Sequence, residues 1–418
     1  MDFSSLGLHS SLVLAVNQAG YQTPTPIQAQ AIPAVLAKKD VMAGAQTGTG
    51  KTAAFALPIL HMLQGPVVKQ AGQDRTIVRA LVLTPTRELC QQVYNSFVKY
   101  GSNSTLNLAI AYGGVSLLPQ IKMLEKGGDV LVATPGRLLD LISKNVIDLS
   151  VLEVLVFDEA DRMLDMGFIT DINRILKRVP NNRQTLLFSA TFDDAIFKLS
   201  QKLLKDPELI EVNARNTAAT EVEQVVYNVD SDRKRELVSY LIGSKNWQQV
   251  LIFTRTKQSA DLLASEMTKD GIKTKAIHGD KSQGARERSL EEFRQNDIRA
   301  LVATDVAARG LDIPDLKYVI NHELPFNPED YIHRIGRTGR AGNTGLAISL
   351  LSAGENYILE EIEAILDTKL PQQWLEGYEP DLTKPAPVSR KNTRTAQKRR
   401  AKERAFGKKP SGKKGNKR

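Results

Sequence analysis

The sequence predicts two α/β domains, each with a parallel sheet, followed by a basic tail that has no core of its own. The chain has 418 residues, of which 42% are hydrophobic and 25% charged, so it is too long for a single core and too apolar for a disordered protein. Short β-branched runs alternate with amphipathic segments in two successive series, a pattern typical of parallel sheets covered by helices. The last segment of the chain is dense in Lys, Arg, Gly and Pro.

Two series of strands define the predicted domains. The strands of the first series are Ala80 to Leu83, Val130 to Ala133, Val154 to Phe157 and Leu186 to Phe188. The strands of the second series are Val225 to Val229, Val250 to Phe253, Lys275 to Ile277, Ala300 to Ala303, Tyr318 to Ile320 and Ala347 to Leu350. The polar stretch EVNARNTAAT between them has weak periodicity, and we interpret it as a linker. We therefore predict a first domain over 1–210, a linker over 211–220, a second domain over 221–375 and a disordered basic tail over 376–418.

The net charge of +9 is unevenly distributed along the chain. Residues 384–418 contain 15 basic residues and a single acid, Glu403, which gives this segment a charge of +14. The remaining 41 basic and 46 acidic residues leave 1–383 at about −5. The tail has too little apolar content to form a core. It is either a solubilising appendage or, as its charge density favours, a segment that binds a polyanion by counterion release.

Several classes of protein are disfavoured by the composition. A single cysteine, Cys90, excludes an intramolecular disulfide and argues against an exported disulfide-rich scaffold. The longest stretch without acidic or basic side chains, 3–37, is rich in Ser, Gln, Thr and Pro, and the apolar stretch 52–68 is interrupted by Pro, His and Gly. Neither has the features of a signal peptide or of a membrane span. We expect a cytoplasmic location and no membrane partner.

The segment AQTGTGKT, which ends at Thr52, has the pattern of a phosphate-binding loop. Gly48 and Gly50 allow backbone N–H groups to surround phosphate oxygens, Lys51 can reach the β and γ phosphates, and Thr52 can ligate Mg²⁺ at a helix N-terminus. Ala45 stands where the first glycine usually is. Taken alone, the segment has a chance Gly-Lys-Thr turn as its alternative interpretation.

A second acidic element supports the nucleotide site. In LEVLVFDEAD an apolar run ends in acids, which places Asp158 at the carboxyl edge of the predicted sheet, where such folds bind ligands. Asp158 is the expected Mg²⁺ ligand, and Glu159 can orient and deprotonate the attacking water. A solvated acidic turn is the alternative, but the phosphate loop earlier in the chain disfavours it.

The second half has no phosphate loop but contains the basic segment HRIGRTGR. This segment spaces Arg334, Arg337 and Arg340 three residues apart, so that it presents rigid cationic forks from a short turn or helix. Such a cluster is suited to supply arginine fingers to a nucleotide held by the other domain. A solvated charged helix or a general nucleic-acid contact is the alternative interpretation.

Together these motifs resemble those of DEAD-box RNA helicases over roughly residues 1–370. The first half contains, in the family's order, Phe3 and GYQTPTPIQ, AQTGTGKT, PTREL, Gly113-Gly114, TPGR, DEAD and SAT. The second half contains IFTRT, the Gln283 and Arg286 pair, ATDVAARGLD and HRIGRTGR. The segments MDFSSLGL, DEADRMLDMGF and NWQQVLIFTRTK are most similar to the bacterial RhlE-like branch.

The resemblance implies two RecA-like domains, ATP and Mg²⁺ as cofactors, and single-stranded or short duplex RNA bound with little sequence specificity. The implied catalytic residues are Lys51, Asp158, Glu159, Arg337 and Arg340, and Mg²⁺ is held by Thr52 and Asp158, largely through water. The implied ATP-binding residues are Phe3, Tyr21 on the adenine face, Gln28 on the adenine edge, Gln46, Thr47, Gly48, Thr49, Gly50, Lys51, Thr52, and Asp312 at the ribose. The implied RNA-binding residues are Arg87, Gly114, Thr134, Arg137, Arg255, Arg286, Thr304 and Gly310. The implied coupling residues between the two sites are Asp161, Ser189, Thr191 and His333.

Two positions depart from the family's pattern. Cys90 follows PTREL where Ala is frequent, and Glu323 precedes Leu-Pro where Asp is frequent. Neither change removes a catalytic group, and we expect a packing role for Cys90. His278 and His333 have no Cys or acidic cluster with zinc-ligand spacing beside them, so we interpret them as members of polar networks and infer no zinc.

We predict an RNA helicase whose two domains close around ATP, Mg²⁺ and single-stranded RNA, hydrolyse the ATP and locally separate short duplexes or remodel RNA–protein complexes. An RNA clamp or annealing chaperone that uses hydrolysis only as a release timer is the alternative, and intact catalytic residues do not exclude it. A processive DNA translocase is disfavoured, because the motifs resemble those of the RNA branch and no additional wedge or DNA-binding domain is visible in the sequence. Ribosome-assembly or RNA-decay proteins are the protein partners that we expect.

Overall fold

The computed structural model describes residues 2–44, 49–64, 75–192, 194–212, 222–308, 313, 316–339, 345–381 and 383. Part of the phosphate loop, most of the predicted linker and the +14 tail lie outside these ranges. Within them, no helix has both the length and the apolarity needed to cross a bilayer.

The first domain contains a seven-stranded sheet and a separate pair of short strands. Its strands are β1 (Val41–Gly44), β2 (Thr76–Ile77), β3 (Ala80–Leu83), β4 (Leu108–Ala111), β5 (Val130–Ala133), β6 (Ile147–Asp148), β7 (Val154–Phe157), β8 (Gln184–Ser189) and β9 (Glu208–Glu211). The large sheet has the order β4-β5-β3-β7-β8-β1-β9, and all its pairings are parallel. Strands β2 and β6 form the separate pair.

Helices cover both faces of this sheet. After a 3₁₀ turn at Phe3–Leu6, the helices are α1 (Ser10–Gln18), α2 (Pro26–Leu36), α3 (Lys51–Met62), α4 (Arg87–Tyr100), α5 (Leu118–Leu124), α6 (Pro135–Ser143), α7 (Ala160–Asp165), α8 (Ile169–Leu176) and α9 (Asp194–Leu203). Alternate residues of β3 show why its sequence is apolar throughout: Val82 packs in the core on one face of the sheet, and Leu81 and Leu83 pack in the core on the other. A strand covered on both faces has no position for a polar side chain.

The second domain repeats the topology of the first. Its strands are β10 (Val222–Asn228), β11 (Val250–Thr254), β12 (Thr274–Ile277), β13 (Ala300–Thr304), β14 (Tyr318–Asn321), β15 (Gly345–Leu351) and β16 (Gln372–Gln373). Its helices are α10 (Lys234–Ser244), α11 (Lys257–Lys269), α12 (Gln283–Arg294), α13 (Asp305–Ala308), α14 (Pro328–Ile335) and α15 (Asn356–Leu366). The sheet order is β12-β13-β11-β14-β15-β10-β16, again with parallel pairings. Counted within each large sheet, this is the same strand order as in the first domain.

All ten predicted strands are present, and the sheets and helices confirm the predicted α/β class with two parallel-sheet domains. The folded part continues past the predicted boundary at residue 375. Tyr378 lies 5.4 Å from Tyr240 of α10 between ring centroids, and Arg233 donates to the Gly377 carbonyl oxygen at 2.8 Å. An aromatic side chain that packs on a helix belongs to the domain, so the predicted disordered tail cannot begin at 376.

Candidate active site and RNA interface

The phosphate loop lies between β1 and α3. Lys51 and Thr52 occupy the first turn of α3, where backbone N–H groups and the helix dipole favour an anion. Gly50 has a φ of 90°, in the left-handed region that favours glycine. Gln28 donates from Nε2 to the Gly50 carbonyl oxygen at 3.1 Å, and its Oε1 accepts from the Thr25 N–H at 3.0 Å. Gln28 therefore connects the start of α2 to the phosphate loop.

Asp158 and Glu159 lie directly after β7, at the carboxyl edge of the first sheet. Asp158 is 2% exposed, and burial raises the pKa of its carboxyl group to about 7; nearby Lys51 opposes this shift, and Glu159 adds to it. Glu159 precedes α7 with a φ of 54°, a conformation that a side chain of this size seldom adopts. Backbone strain of this kind is frequent at functional sites.

The two carboxylates fit a divalent cation. Asp158 Oδ1 and Glu159 Oε2 are buried and accept no hydrogen bond from any described residue. Buried carboxylate oxygens without donors are costly unless a cation satisfies them. Among the described residues no group of three or more His, Cys, Asp or Glu could by itself hold a metal ion. Mg²⁺ usually keeps several waters and needs only one or two carboxylates, so the pair matches its chemistry.

The two aromatic residues assigned to the adenine site differ in exposure. Tyr21 is 45% exposed, with its ring centroid 6.5 Å from that of Tyr100 and 5.5 Å from Lys99 Nζ. Phe3 is 2% exposed and belongs to the apolar core on one face of the first sheet. The burial of Phe3 favours a packing role over direct contact with adenine.

The arginines of HRIGRTGR have different environments. Arg334 is 1% exposed and forms a bidentate pair with Asp305, at 2.6 and 2.8 Å. It also donates to Asn321 Oδ1 and to the Glu323 carbonyl oxygen. Arg337 is 5% exposed, just after α14. The solvated-helix interpretation is therefore wrong for Arg334, because its donors are used inside the second domain.

Coupling residues from both domains line one small cavity of about 50 Å³. Asp161 and Thr191 contribute from the first domain, and Asp330 and His333 contribute from α14 of the second. Ser189, at the end of β8, donates to the Thr191 carbonyl oxygen at 2.8 Å. The cavity therefore lies between the acidic element of one domain and the arginine-bearing segment of the other.

The first-domain residues assigned to RNA form a connected surface. The guanidinium of Arg87, at the start of α4, packs so closely over Gly114 that a Cβ there would overlap with Arg87 Nη1. Thr134 precedes α6 and is 8% exposed. Arg137 is also 8% exposed and donates to Gln120 Oε1 at 3.0 Å and to the Val115 carbonyl oxygen at 2.8 Å. Arg137 therefore fixes the loop that carries Gly114.

Two arginines of the second domain have protein partners. Arg255 donates from Nε to the Leu324 carbonyl oxygen and from Nη2 to Glu355, both at 2.6 Å, and its backbone N–H donates to Glu323 at 2.6 Å. Arg286 forms an ion pair with Glu88 of the first domain at 2.7 Å. Thr304 ends β13 and is 7% exposed. The predicted residues that lie outside the described ranges are Gln46, Thr47, Gly48, Gly310, Asp312 and Arg340.

Glu88, Gln120, Asp305 and Glu355 are the partners that the sequence reasoning missed. Each pairs with an arginine distant in the chain, and the motif pattern contains no signal for such pairing. Glu88 and Asp305 had a clue in sequence, since they lie within PTREL and ATDVAARGLD. Cys90 is fully buried, and burial raises the pKa of its thiol to about 12, which agrees with packing.

Family models match both domains. A DEAD/DEAH box helicase model matches residues 25–199, and a helicase conserved C-terminal domain model matches residues 233–342. RhpA of Helicobacter pylori (strain B128), named a DEAD-box ATP-dependent RNA helicase, is 42% identical over 368 residues, which are 88% of this chain and 73% of the relative. The chain belongs to the DEAD-box ATP-dependent RNA helicase family. Its placement in the RhlE-like branch stays a prediction.

Solved DEAD-box structures share the fold but differ in how well they superpose on this chain. Dbp5 of S. cerevisiae, bound to RNA and ADP BeF3, is 30% identical with a TM-score of 0.79, covering 89% of this chain and 95% of its own. A DEAD box protein from Methanococcus jannaschii is 38% identical and covers 89% of this chain and 99% of its own, but its TM-score is 0.50. This DEAD-box chain superposes better on the RNA-bound Dbp5 than on the Methanococcus jannaschii protein, although its sequence is less similar to that of Dbp5.

Proposed function

We propose that this helicase hydrolyses ATP in the cleft between its domains and thereby separates short RNA duplexes locally or remodels RNA–protein complexes. The observation that carries this proposal is the cavity shared by Asp161 and Thr191 with Asp330 and His333. It puts the acidic element of the first domain against the helix that leads to Arg337. A site divided in this way is complete only when the domains are together, which couples nucleotide chemistry to domain closure.

The catalytic roles follow from the burial and charge of the site. Lys51, at the positive end of α3, would neutralise phosphate charge, and Glu159 would orient and deprotonate the attacking water. Arg337 and Arg340 would stabilise the charge that develops on the transferred phosphoryl group. Asp158 and Thr52 would hold Mg²⁺, which when bound supplies charge neutralisation between phosphate oxygens.

Adenine and RNA contacts complete the proposal. Tyr21 would stack on adenine with support from Tyr100, and Gln28 would exchange its contact with Gly50 for the adenine edge. Asp312 would contact the ribose. The RNA backbone would contact Arg87, Gly114 and Thr134 in the first domain. It would continue to Arg255, Thr304 and Gly310 in the second. Such backbone contacts carry little sequence information.

The RNA-clamp or annealing role stays the second candidate, because a charge of +14 in 35 residues can bring RNA strands together without hydrolysis. Ribosome-assembly or RNA-decay proteins as partners, and a cytoplasmic location, also belong to this proposal. The partners rest on the family resemblance, and the location rests on the composition of the sequence.

A strand-displacement assay tests the proposal. Wild type should displace a short strand with ATP, and Glu159→Gln should retain ATP and RNA binding while its turnover falls by at least about a hundredfold, because the variant keeps the side chain's size but loses the base. The matched control is Glu153→Gln, an exposed acid of the same domain that pairs with Arg79 and should not affect turnover. Annealing without ATP and no displacement with it would favour the clamp. Normal hydrolysis by Glu159→Gln would refute the assignment of the base.

A further inference from the structure

We propose that Glu88 and Arg286 form an ionic latch that holds the two domains together, so that Arg286 acts on the opposite domain and not on RNA. The proposal deepens the function given above, because it rests on domain closure as the active state. It changes the role of a residue that the family resemblance assigns to RNA.

The contact is direct and buried. Arg286 Nη2 lies 2.7 Å from Glu88 Oε1, and the two side chains are 8% and 10% exposed. Glu88 belongs to the first turn of α4 in the first domain, and Arg286 belongs to the first turn of α12 in the second. Surface ion pairs between flexible side chains contribute little, but this pair is withdrawn from water on both sides.

The surroundings of Arg286 explain why it needs Glu88. Its cation lies near the positive end of α12, where the helix dipole disfavours it. Burial lowers the pKa of the Arg286 guanidinium, and Arg87 acts in the same direction, while Glu88 and Glu287 oppose both. Arginine stays charged in proteins, so a buried Arg286 without Glu88 would be an uncompensated cation.

Glu88, in contrast to Arg286, lies where its charge is favourable. It lies at the start of α4, where the helix dipole favours a negative charge. Its neighbour Arg87 packs over Gly114 on the proposed RNA surface, while Glu88 faces the second domain. The two adjacent residues of PTREL therefore have different roles. Arg87 contributes to the proposed RNA surface, and Glu88 holds the two domains together.

A charge-exchange cycle in the full chain tests the latch. The proteins are wild type, Glu88→Arg, Arg286→Glu and the double exchange, and the readout is RNA affinity with a non-hydrolysable ATP analogue. The control is the exposed pair Lys39 and Glu208 within the first domain, exchanged in the same way. A second readout is domain proximity by fluorescence energy transfer between dyes on Lys126→Cys and Lys269→Cys, two exposed positions in different domains. The native Cys90 is fully buried and should not be labelled.

Each single reversal should weaken analogue-dependent RNA binding by roughly 10²-fold and lower the energy transfer, because it opposes like charges in a buried site. The double exchange should recover at least tenfold of that loss, with incomplete recovery because it places an arginine beside Arg87. The Lys39 and Glu208 exchange should have no effect. Repeating the cycle with Glu88→Gln and Arg286→Gln keeps the test valid if a reversed variant does not fold.

The latch is wrong if the double exchange weakens RNA binding as much as the two single reversals combined. It is also wrong if neither reversal changes the energy transfer. A direct phosphate contact by Arg286 would instead make the dependence of log K on log salt shallower by roughly 0.7 in every variant that lacks it, with no rescue. Failure of the proposed function is distinguishable, because wild type would then show no analogue-dependent RNA binding at all.

Discussion

The environment of Arg334 could not be determined from its residue type alone. The sequence presents Arg334, Arg337 and Arg340 as equivalent members of one spacing pattern. In the fold, Arg334 uses Nε, Nη1 and Nη2 on Asp305, Asn321 and the Glu323 carbonyl, so it connects α14 to the ends of β13 and β14. Its role is to position α14.

We therefore expect Arg334→Lys to destabilise the second domain by about 3 kcal/mol, because an ammonium cannot replace a buried bidentate fork. The two tryptophans, Trp247 and Trp374, both belong to this domain, so their fluorescence during urea unfolding reports on it. The control is Arg294→Lys in the same domain, whose arginine is 40% exposed and should cost less than about 0.5 kcal/mol. If the two variants had the same free energy of unfolding, the role of Arg334 in positioning α14 would be contradicted.

For the residues that follow strands, the chemical role could be predicted from the sequence. The groups that each side chain contacts could not. Asp158 and Glu159 could be placed because an apolar run followed by acids determines a sheet edge. The burial of Phe3, the pairing of Arg137 with Gln120 and the pairing of Arg286 with Glu88 depend on elements that the sequence does not bring together. Motif membership identifies such residues without showing what each one contacts.

At the scale of elements, the interior strands other than β1 were predicted, as was the edge strand β12, whereas the edge strands β4, β9 and β16 were not. Strands β3, β5 and β7 are buried on both faces, so their apolar runs are distinctive. Strand β9 has one buried residue among exposed ones at the edge of its sheet, and β16 has only two residues. Short or half-exposed strands carry little hydrophobic pattern, and only the neighbouring strand determines that they form.

The loop after β4 provides a test at this scale. Gly114 has a φ of 80°, and a Cβ there would overlap with the Arg87 guanidinium. Gly114→Ala should therefore displace Arg87 and weaken RNA binding by about tenfold or more, while ATP-analogue binding is unchanged. The control is Gly243→Ala in α10, where nothing lies within 4 Å and alanine favours the helix. Unchanged RNA affinity for Gly114→Ala would show that this close packing is not needed.

At the scale of the whole molecule, the two domains have the same strand order but different chemistry. Only the first carries a phosphate loop, and the second supplies Arg337 and the partner of Glu88. Alternating strands and helices were enough to predict two such domains. Their arrangement was not predictable, because it depends on contacts such as Glu88 with Arg286 between residues far apart in the chain.

The division of charge between the folded part and the tail leads to the last prediction. Residues 1–383 carry about −5, which does not attract RNA at long range, whereas 384–418 carry +14. Truncation after Thr383 should weaken RNA binding and make the slope of log K against log salt shallower by roughly 0.7 for each phosphate that the tail no longer neutralises. The kcat at saturating RNA should change little, because Lys51, Asp158, Glu159 and Arg337 are retained. Replacing the tail with a neutral Gly/Ser segment of equal length should reproduce the truncation. If that neutral segment restored the wild-type salt slope, the length of the tail and not its charge would be responsible, and the proposed electrostatic role would be wrong.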